Sequence, residues 1–185
     1  MKYVIVGGVA GGASVAARLR RLDEKAEIIL FERGSYVSYA NCGLPYYIGG
    51  EIKERQKLFV QTVKGFMDKF RVDIRIEQEV TSVSPDTKTI EVKKIVSGEV
   101  YNETFDKLVL SPGAEPLKPK IPGIQLPNIF TLRNVPDTDV IKDFVSAGKA
   151  KSAVIVGGGF IGLEMAENLH VQGINVTVVE MADQV

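Results

Sequence analysis

The hydrophobic pattern opens with a short apolar run at residues 3–6 that stops at the turn Gly7-Gly8-Val9-Ala10-Gly11-Gly12. Helical spacing follows over residues 13–22, and a second apolar run over 27–31 ends at Glu32. This order predicts strand, glycine turn, helix and strand. On the helix, Val15, Leu19 and Leu22 form an apolar stripe expected to pack on a sheet. Ser14, Arg18 and Arg21 form a second, polar stripe, whose plain reading is a solvated face. Residues 62–70 read as a helix with Phe66 and Phe70 on one face, and 72–76 and 79–83 read as short strands. Alternation over 87–96 and 100–105, with Ser97-Gly98-Glu99 between, predicts a hairpin, so a β-meander is expected inside the domain. A buried strand over 106–110 then runs into Ser111-Pro112-Gly113-Ala114, a turn where backbone can approach a ligand closely.

Pro112, Pro116, Pro119, Pro122 and Pro127 crowd the next stretch and mark a stiff connection between domains. A helix is expected over 137–147, stopped by Gly148. The opening pattern then returns: an apolar run over 153–156, the turn Gly157-Gly158-Gly159-Phe160-Ile161-Gly162, a helix over 163–171, a stop at Gly173, and a strand over 175–179 ending in Glu180. The fold class that follows is α/β, with two Rossmann-like units of parallel strands and helices, a β-meander inserted in the first, and the second unit truncated. The expected domains are residues 1–117 and 118–185. The sequence stops after one βαβ unit of the second, so it reads as the N-terminal piece of a longer protein.

Glu32 follows Gly12 by 20 residues, and Glu180 follows Gly162 by 18. This spacing suits a dinucleotide, with pyrophosphate at the helix N-terminus and a carboxylate on the ribose hydroxyls. Val9 fills the middle glycine slot of the first turn, whereas the second has glycine at every fingerprint position. Glu180 would repel a 2′-phosphate and no Lys or Arg follows it, which favours NADH over NADPH at the second turn.

Charge and composition narrow the remaining classes. Lys+Arg and Asp+Glu are both 23, so no net field favours nucleic acid or an anionic membrane. One cysteine, Cys42, and one histidine, His170, argue against disulfides and a structural zinc site, and His170 reads as a surface or packing residue. No signal peptide or transmembrane run is expected, and the cytoplasm is the default location. Cys42 lies in Ser38-Tyr39-Ala40-Asn41-Cys42-Gly43-Leu44-Pro45-Tyr46-Tyr47, ten residues past Glu32. A lone cysteine is by default a small buried hydrophobe. Here Asn41 and Gly43 disfavour regular structure and Pro45 does not continue a helix, so an irregular backbone with an accessible sulfur is expected.

With these elements in place, the sequence resembles the FAD-dependent pyridine nucleotide-disulfide oxidoreductases, and within them the coenzyme A-disulfide reductase branch. The likeness rests on Ser38, Asn41-Cys42, Leu44-Pro45-Tyr46, the turn at Gly7 to Gly12, Glu32, the Ser111 to Ala114 turn and Gly157 to Gly162. It implies FAD on the first unit, held by Gly7, Gly8, Val9, Ala10, Gly11, Gly12, Glu32, Arg33, Ser38, Asn41, Cys42, Val80, Ser111, Pro112 and Gly113. It implies NADH or NADPH on the second, at Gly157, Gly159, Phe160, Ile161, Gly162 and Glu180. Coenzyme A contacts fall on Ser14, Arg18, Arg21, Ser38 and Asn41. A further basic contact of the family falls at Phe70, flanked here by Lys69 and Arg71. Cys42, Asn41 and Ser38 are the implied catalytic set, with Cys42 resting as a mixed disulfide with coenzyme A. The expected partner is a small disulfide or polysulfide, with no nucleic acid, membrane or metal, and the full protein is expected to be a homodimer. Two rivals stay open: an NADH oxidase or peroxidase cycling Cys42 through sulfenic acid, and a non-catalytic flavin- and NAD-binding redox sensor.

Overall fold

A computed structural model describes residues 1–184. In chain order its first elements are β1 (Lys2–Val6), α1 (Ala10–Leu22), β2 (Glu27–Glu32), α2 (Leu44–Ile48), α3 (Val63–Phe70), β3 (Asp73–Ile76), β4 (Gln78–Ser84), β5 (Thr89–Lys94), β6 (Val100–Thr104) and β7 (Lys107–Leu110). After them come α4 (Val135–Ser146), β8 (Ser152–Val156), α5 (Phe160–Val171) and β9 (Asn175–Val179). Single 3₁₀ turns occupy Asn41–Gly43 and Arg55–Leu58. The chain divides into two compact units: Met1–Tyr39 with Phe59–Ala114, and Ala40–Leu58 with the residues from Glu115 onward.

The first unit has three layers. Its central sheet is parallel, in the order β3-β2-β1-β7, and an antiparallel sheet of order β4-β5-β6 is the expected meander. Strands in the middle of such a sheet bury both faces, which is why β2 reads Ile28-Ile29-Leu30-Phe31 without polar interruption. Ile5, Ile28 and Leu30 face α1 and α3, packing on Ala13, Ala16 and Phe66. Val4, Ile29 and Phe31 face the meander and meet Ile90 and Val92. Each fully buried side chain of this kind contributes roughly 1.5–3 kcal/mol of burial.

Small residues let α1 lie close to the sheet, and this differs from the expected stripe. Gly12, Ala13, Ala16 and Arg20 are the buried positions, Val15 and Leu19 pack at the margin, and Leu22 is 66% exposed because it lies on the helix face opposite Ala13 and Arg20. The Arg20 guanidinium donates to the carbonyls of Asp23, Glu24, Ala26, Phe70 and Arg71, so a cation is buried with its donors satisfied. Thr62 caps α3 by accepting from the Gly65 amide at 3.0 Å.

The second unit has one parallel pair, β8 with β9. Their inward residues pack with α4, α5 and α2 around Ile48, Ile141, Met165, Leu169 and Ile174. The opposite face is open, with Val154 at 64% and Val156 at 84% exposure. A capping box formed by Asn134 and Asp137 starts α4, with Pro136 in its first turn. Pro45 likewise lies in the first turn of α2, where a missing N–H breaks no bond; Cys42 is therefore followed at once by helix rather than by loop. No helix among the described residues is long and apolar enough to cross a membrane.

Candidate functional site

The first glycine turn is built by steric exclusion. Gly7 has φ +96, and a Cβ there would overlap the Ser111 carbonyl oxygen. A Cβ on Gly11 would strike the Ser111 hydroxyl, and one on Gly12 would strike the Gly7 carbonyl. The backbone can reach this closeness only without side chains. Val9 precedes α1 as its N-cap and makes no side-chain cap bond, so the first N–H groups of the helix have no side-chain partner there, which fits a pyrophosphate. Glu32 is held in place by two amides: Gly8 N–H donates to Oε2 and Gly34 N–H to Oε1, both at 2.7 Å.

Other predicted residues of this unit surround that turn in different ways. Ser38 has φ 50, unusual for a residue other than glycine; its N–H donates to Gly8 O at 2.9 Å and its carbonyl accepts from Val60 and Gln61. Ser111 N–H bonds Val6 O at 2.8 Å, while Pro112 and Gly113 are exposed beyond it. Val80 spends its side chain on the core beneath the meander, beside a bulge between Val80 and Ser82. Arg33 lies 3.5 Å from Glu79, both substantially exposed, a pair worth little in stability.

Ser14 and Ser38 share a groove of about 390 Å³, walled by Ala13, Ala17, Tyr39, Val60, Gln61 and Phe66 and closed by Lys69 and Phe70. Arg18 and Arg21 are exposed on α1, outside that lining, and neither pairs with another group among the described residues. Of the two cations flanking Phe70, Lys69 lines the groove, its ammonium 5.4 Å from the Phe70 ring centre. Arg71 instead ends α3 in a left-handed conformation and gives its carbonyl to Arg20. Gln61 and Val60 carry no motif and escaped sequence reasoning; only the apolar spacing of Phe66 and Phe70 hinted at a wall here.

In the second unit, Cys42 is exposed, on the turn Asn41–Gly43, and Asn41 is exposed with it. The Leu44 amide closes the turn on Asn41 O, so cysteine and α2 are one continuous piece. Tyr46, one turn on, has its hydroxyl pushed up by the charge of Glu164, then by burial, Glu167 and Glu51, and stays protonated.

The second glycine turn repeats the first. Gly157 has φ +105 and its N–H bonds Val179 O at 2.8 Å, just as Gly7 N–H bonds Phe31 O at 2.8 Å. A Cβ on Gly162 would overlap the Gly157 carbonyl. Gly158 N–H donates to Glu180 Oε2 at 2.6 Å, and the amides of Ala182, Gly158 and Met181 together hold that carboxyl below its usual range. Phe160 and Ile161 are exposed at the start of α5.

Comparison with known proteins agrees with this duplicated geometry. The model of the pyridine nucleotide-disulphide oxidoreductase family matches residues 1–185. The chain belongs to this family. Coenzyme A disulfide reductase of Staphylococcus haemolyticus is 40% identical over 184 residues, 100% of this chain and 41% of its own. Reduced Bacillus anthracis CoADR-RHD superposes with a TM-score of 0.96 at 60% identity, covering 100% of this chain and 33% of that one. The NAD-dependent persulfide reductase of A. fulgidus superposes at 0.94 with 38% identity, over 100% of this chain and 34% of that one. This family member thus spans about 41% of the length of the curated relatives it matches.

Proposed function

We propose that the protein is a flavoprotein that reduces coenzyme A disulfide, or a related polysulfide, with NAD(P)H through FAD and one redox-active cysteine. FAD belongs at the Gly7–Gly12 turn with Glu32 on its ribose, and the pyridine nucleotide at the Gly157–Gly162 turn with Glu180 on its ribose. Bound there, the flavin would take hydride from the nicotinamide and supply two electrons to a disulfide.

The observation that carries the reading is that Cys42 is exposed and is the chain's single cysteine. No second cysteine lies within these 185 residues, and in this reading the partner sulfur arrives on a diffusible molecule. The Cys42 thiolate attacks one sulfur of the incoming disulfide, forming a mixed disulfide and releasing one thiolate, which takes a proton from solvent. Two electrons and a proton cleave that bond, release the second thiol and return the thiolate. The groove holding Ser14, Ser38 and Lys69 suits the pantetheine arm and phosphates, with Arg18 and Arg21 as further unpaired cations.

The test is mass spectrometry of the full-length protein, purified aerobically without reductant. A coenzyme A adduct on Cys42 is the expected result, and its absence counts against the reading. NADH consumption with coenzyme A disulfide, polysulfide, oxygen and peroxide separates it from the oxidase alternative. That alternative is favoured by the likeness to the water-forming NADH oxidase of Lactobacillus brevis, at 29% identity and a TM-score of 0.91. A Cys42→Ser variant that keeps full turnover with every disulfide acceptor would favour a sensor or a path that bypasses sulfur.

A further inference from the structure

We infer that Gln172 and Asn168, at the end of the helix that begins with the second glycine turn, position Cys42 by gripping the helix that follows it. The inference rests on the reading of Cys42 as the redox thiol. The turn Asn41–Gly43 has no side-chain cap, and α2 has five residues, too few to hold its own shape in water. What fixes the sulfur must therefore be what fixes α2.

α4 supplies part of that hold, through Ile141 beside Ile48 and the Lys142 ammonium donating to the Tyr47 carbonyl, and one face of α5 supplies the rest. Ile48 is 2% exposed and packs with Met165 and Leu169. Asn168, anchored by its amide to the Glu164 carbonyl at 2.8 Å, lies so close to Gly49 that a methyl group there would overlap it. One turn further, the Gln172 side-chain amide donates to the Gly49 carbonyl. The carbonyls at the end of a helix have no partners within it, so this bond satisfies a group that would otherwise be left to solvent. Residues 165, 168, 169 and 172 recur at three- and four-residue steps, so a single stripe of α5 is dedicated to this contact. Because the cysteine turn runs directly into α2, any rotation of α2 in this socket displaces Cys42. A shift of about 1 Å in a reacting group can cost on the order of 100-fold in rate.

The experiment uses the full-length protein with FAD. Gln172→Glu removes the donor at constant size, and Gln172→Lys restores one. In the Glu variant, NADH-dependent reduction of coenzyme A disulfide is expected to fall about tenfold. Reduction of ferricyanide by NADH, which needs no thiol, should stay within about twofold. Iodoacetamide labelling of Cys42, after dithiothreitol has freed the thiol and been removed, and followed by mass spectrometry without NADH, should change by roughly threefold or more. Gln172→Lys should return all three to parental values, and Gly49→Ala, which displaces Asn168, should reproduce the loss. Unchanged labelling and turnover in Gln172→Glu, equal loss of the ferricyanide and disulfide reactions, or a Lys variant as impaired as the Glu variant would each overturn the inference. If the parent does not reduce coenzyme A disulfide but its labelling shifts as expected, the proposed function fails and the positioning role stands.

Discussion

The two glycine turns are near copies in backbone and opposites in surroundings. Gly7 and Gly157 share positive φ values of 96° and 105°, Gly12 and Gly162 press on the matching carbonyls, and Glu32 and Glu180 each accept from the second glycine of their turn. Yet a Cβ at Gly7 meets Ser111, whereas one at Gly157 meets nothing within 4 Å. The first turn sits on a sheet covered on both faces; the second sits on a strand pair with one open face. Local chemistry alone therefore makes the phosphate-type turn, and the neighbouring strand decides how much that turn matters to stability.

Substitutions made in matched pairs put numbers on that contrast, each read by urea unfolding unless stated. Phe31→Ala empties a position that is 1% exposed and should destabilise by ~3–5 kcal/mol. Its counterpart Val179→Ala, at 50% exposure, should cost no more than about 1 kcal/mol. Gly157→Ala should cost about 1–2 kcal/mol for the left-handed backbone. Gly7→Ala should cost about 1–3 kcal/mol beyond that, because Ser111 has to move. Equal effects at the two glycines would erase the comparison.

Two smaller effects concern charge. Glu180→Gln should shift the kcat/KM preference between NADH and NADPH about tenfold toward NADPH, since a neutral amide no longer repels a 2′-phosphate. Steady-state kinetics with both nucleotides in the full-length enzyme measures this. Finally, burial pushes the Glu103 carboxyl up, but Lys2 at 2.6 Å and Arg75 at 2.7 Å outweigh it and hold the group below its usual range. A depressed carboxylate stabilises the fold above its unfolded pKa, and that share disappears as pH falls through the folded value. Acid unfolding of the first unit should therefore be steeper in the parent than in Glu103→Gln, with the difference confined to pH below about 4.5.

The turns, their acids and the meander were legible because each is written in adjacent residues: glycines at fixed steps, an acid ending a strand, a hairpin signal at Ser97-Gly98-Glu99. The α1 stripe was less so. Spacing placed Leu22 on the sheet side, but the helix turns its small residues Gly12, Ala13 and Ala16 inward and leaves Leu22 on the opposite face, a choice that apolar periodicity does not encode. Arg20 reads as surface by residue type, yet it is 9% exposed because carbonyls from two separate turns converge on it. Likewise Gln61 and Gln172 gain their roles from partners 23 or more residues away, Gln61 from Ser38 and Gln172 from Gly49. No local pattern announces such partners.

Arg20 has one more consequence. The first unit is assembled from two stretches of chain, and the excursion between them carries Cys42. The guanidinium fastens the end of α1, from the first stretch, to the end of α3, from the second, and a bridge between Tyr39 and Phe59 closes the base of the excursion. Nineteen residues, Ala40–Leu58, are thereby tied off like a loop of rope at a cleat. Substitutions on the exposed turn around Cys42 in that loop therefore leave untouched the knot that keeps the flanking sheet whole.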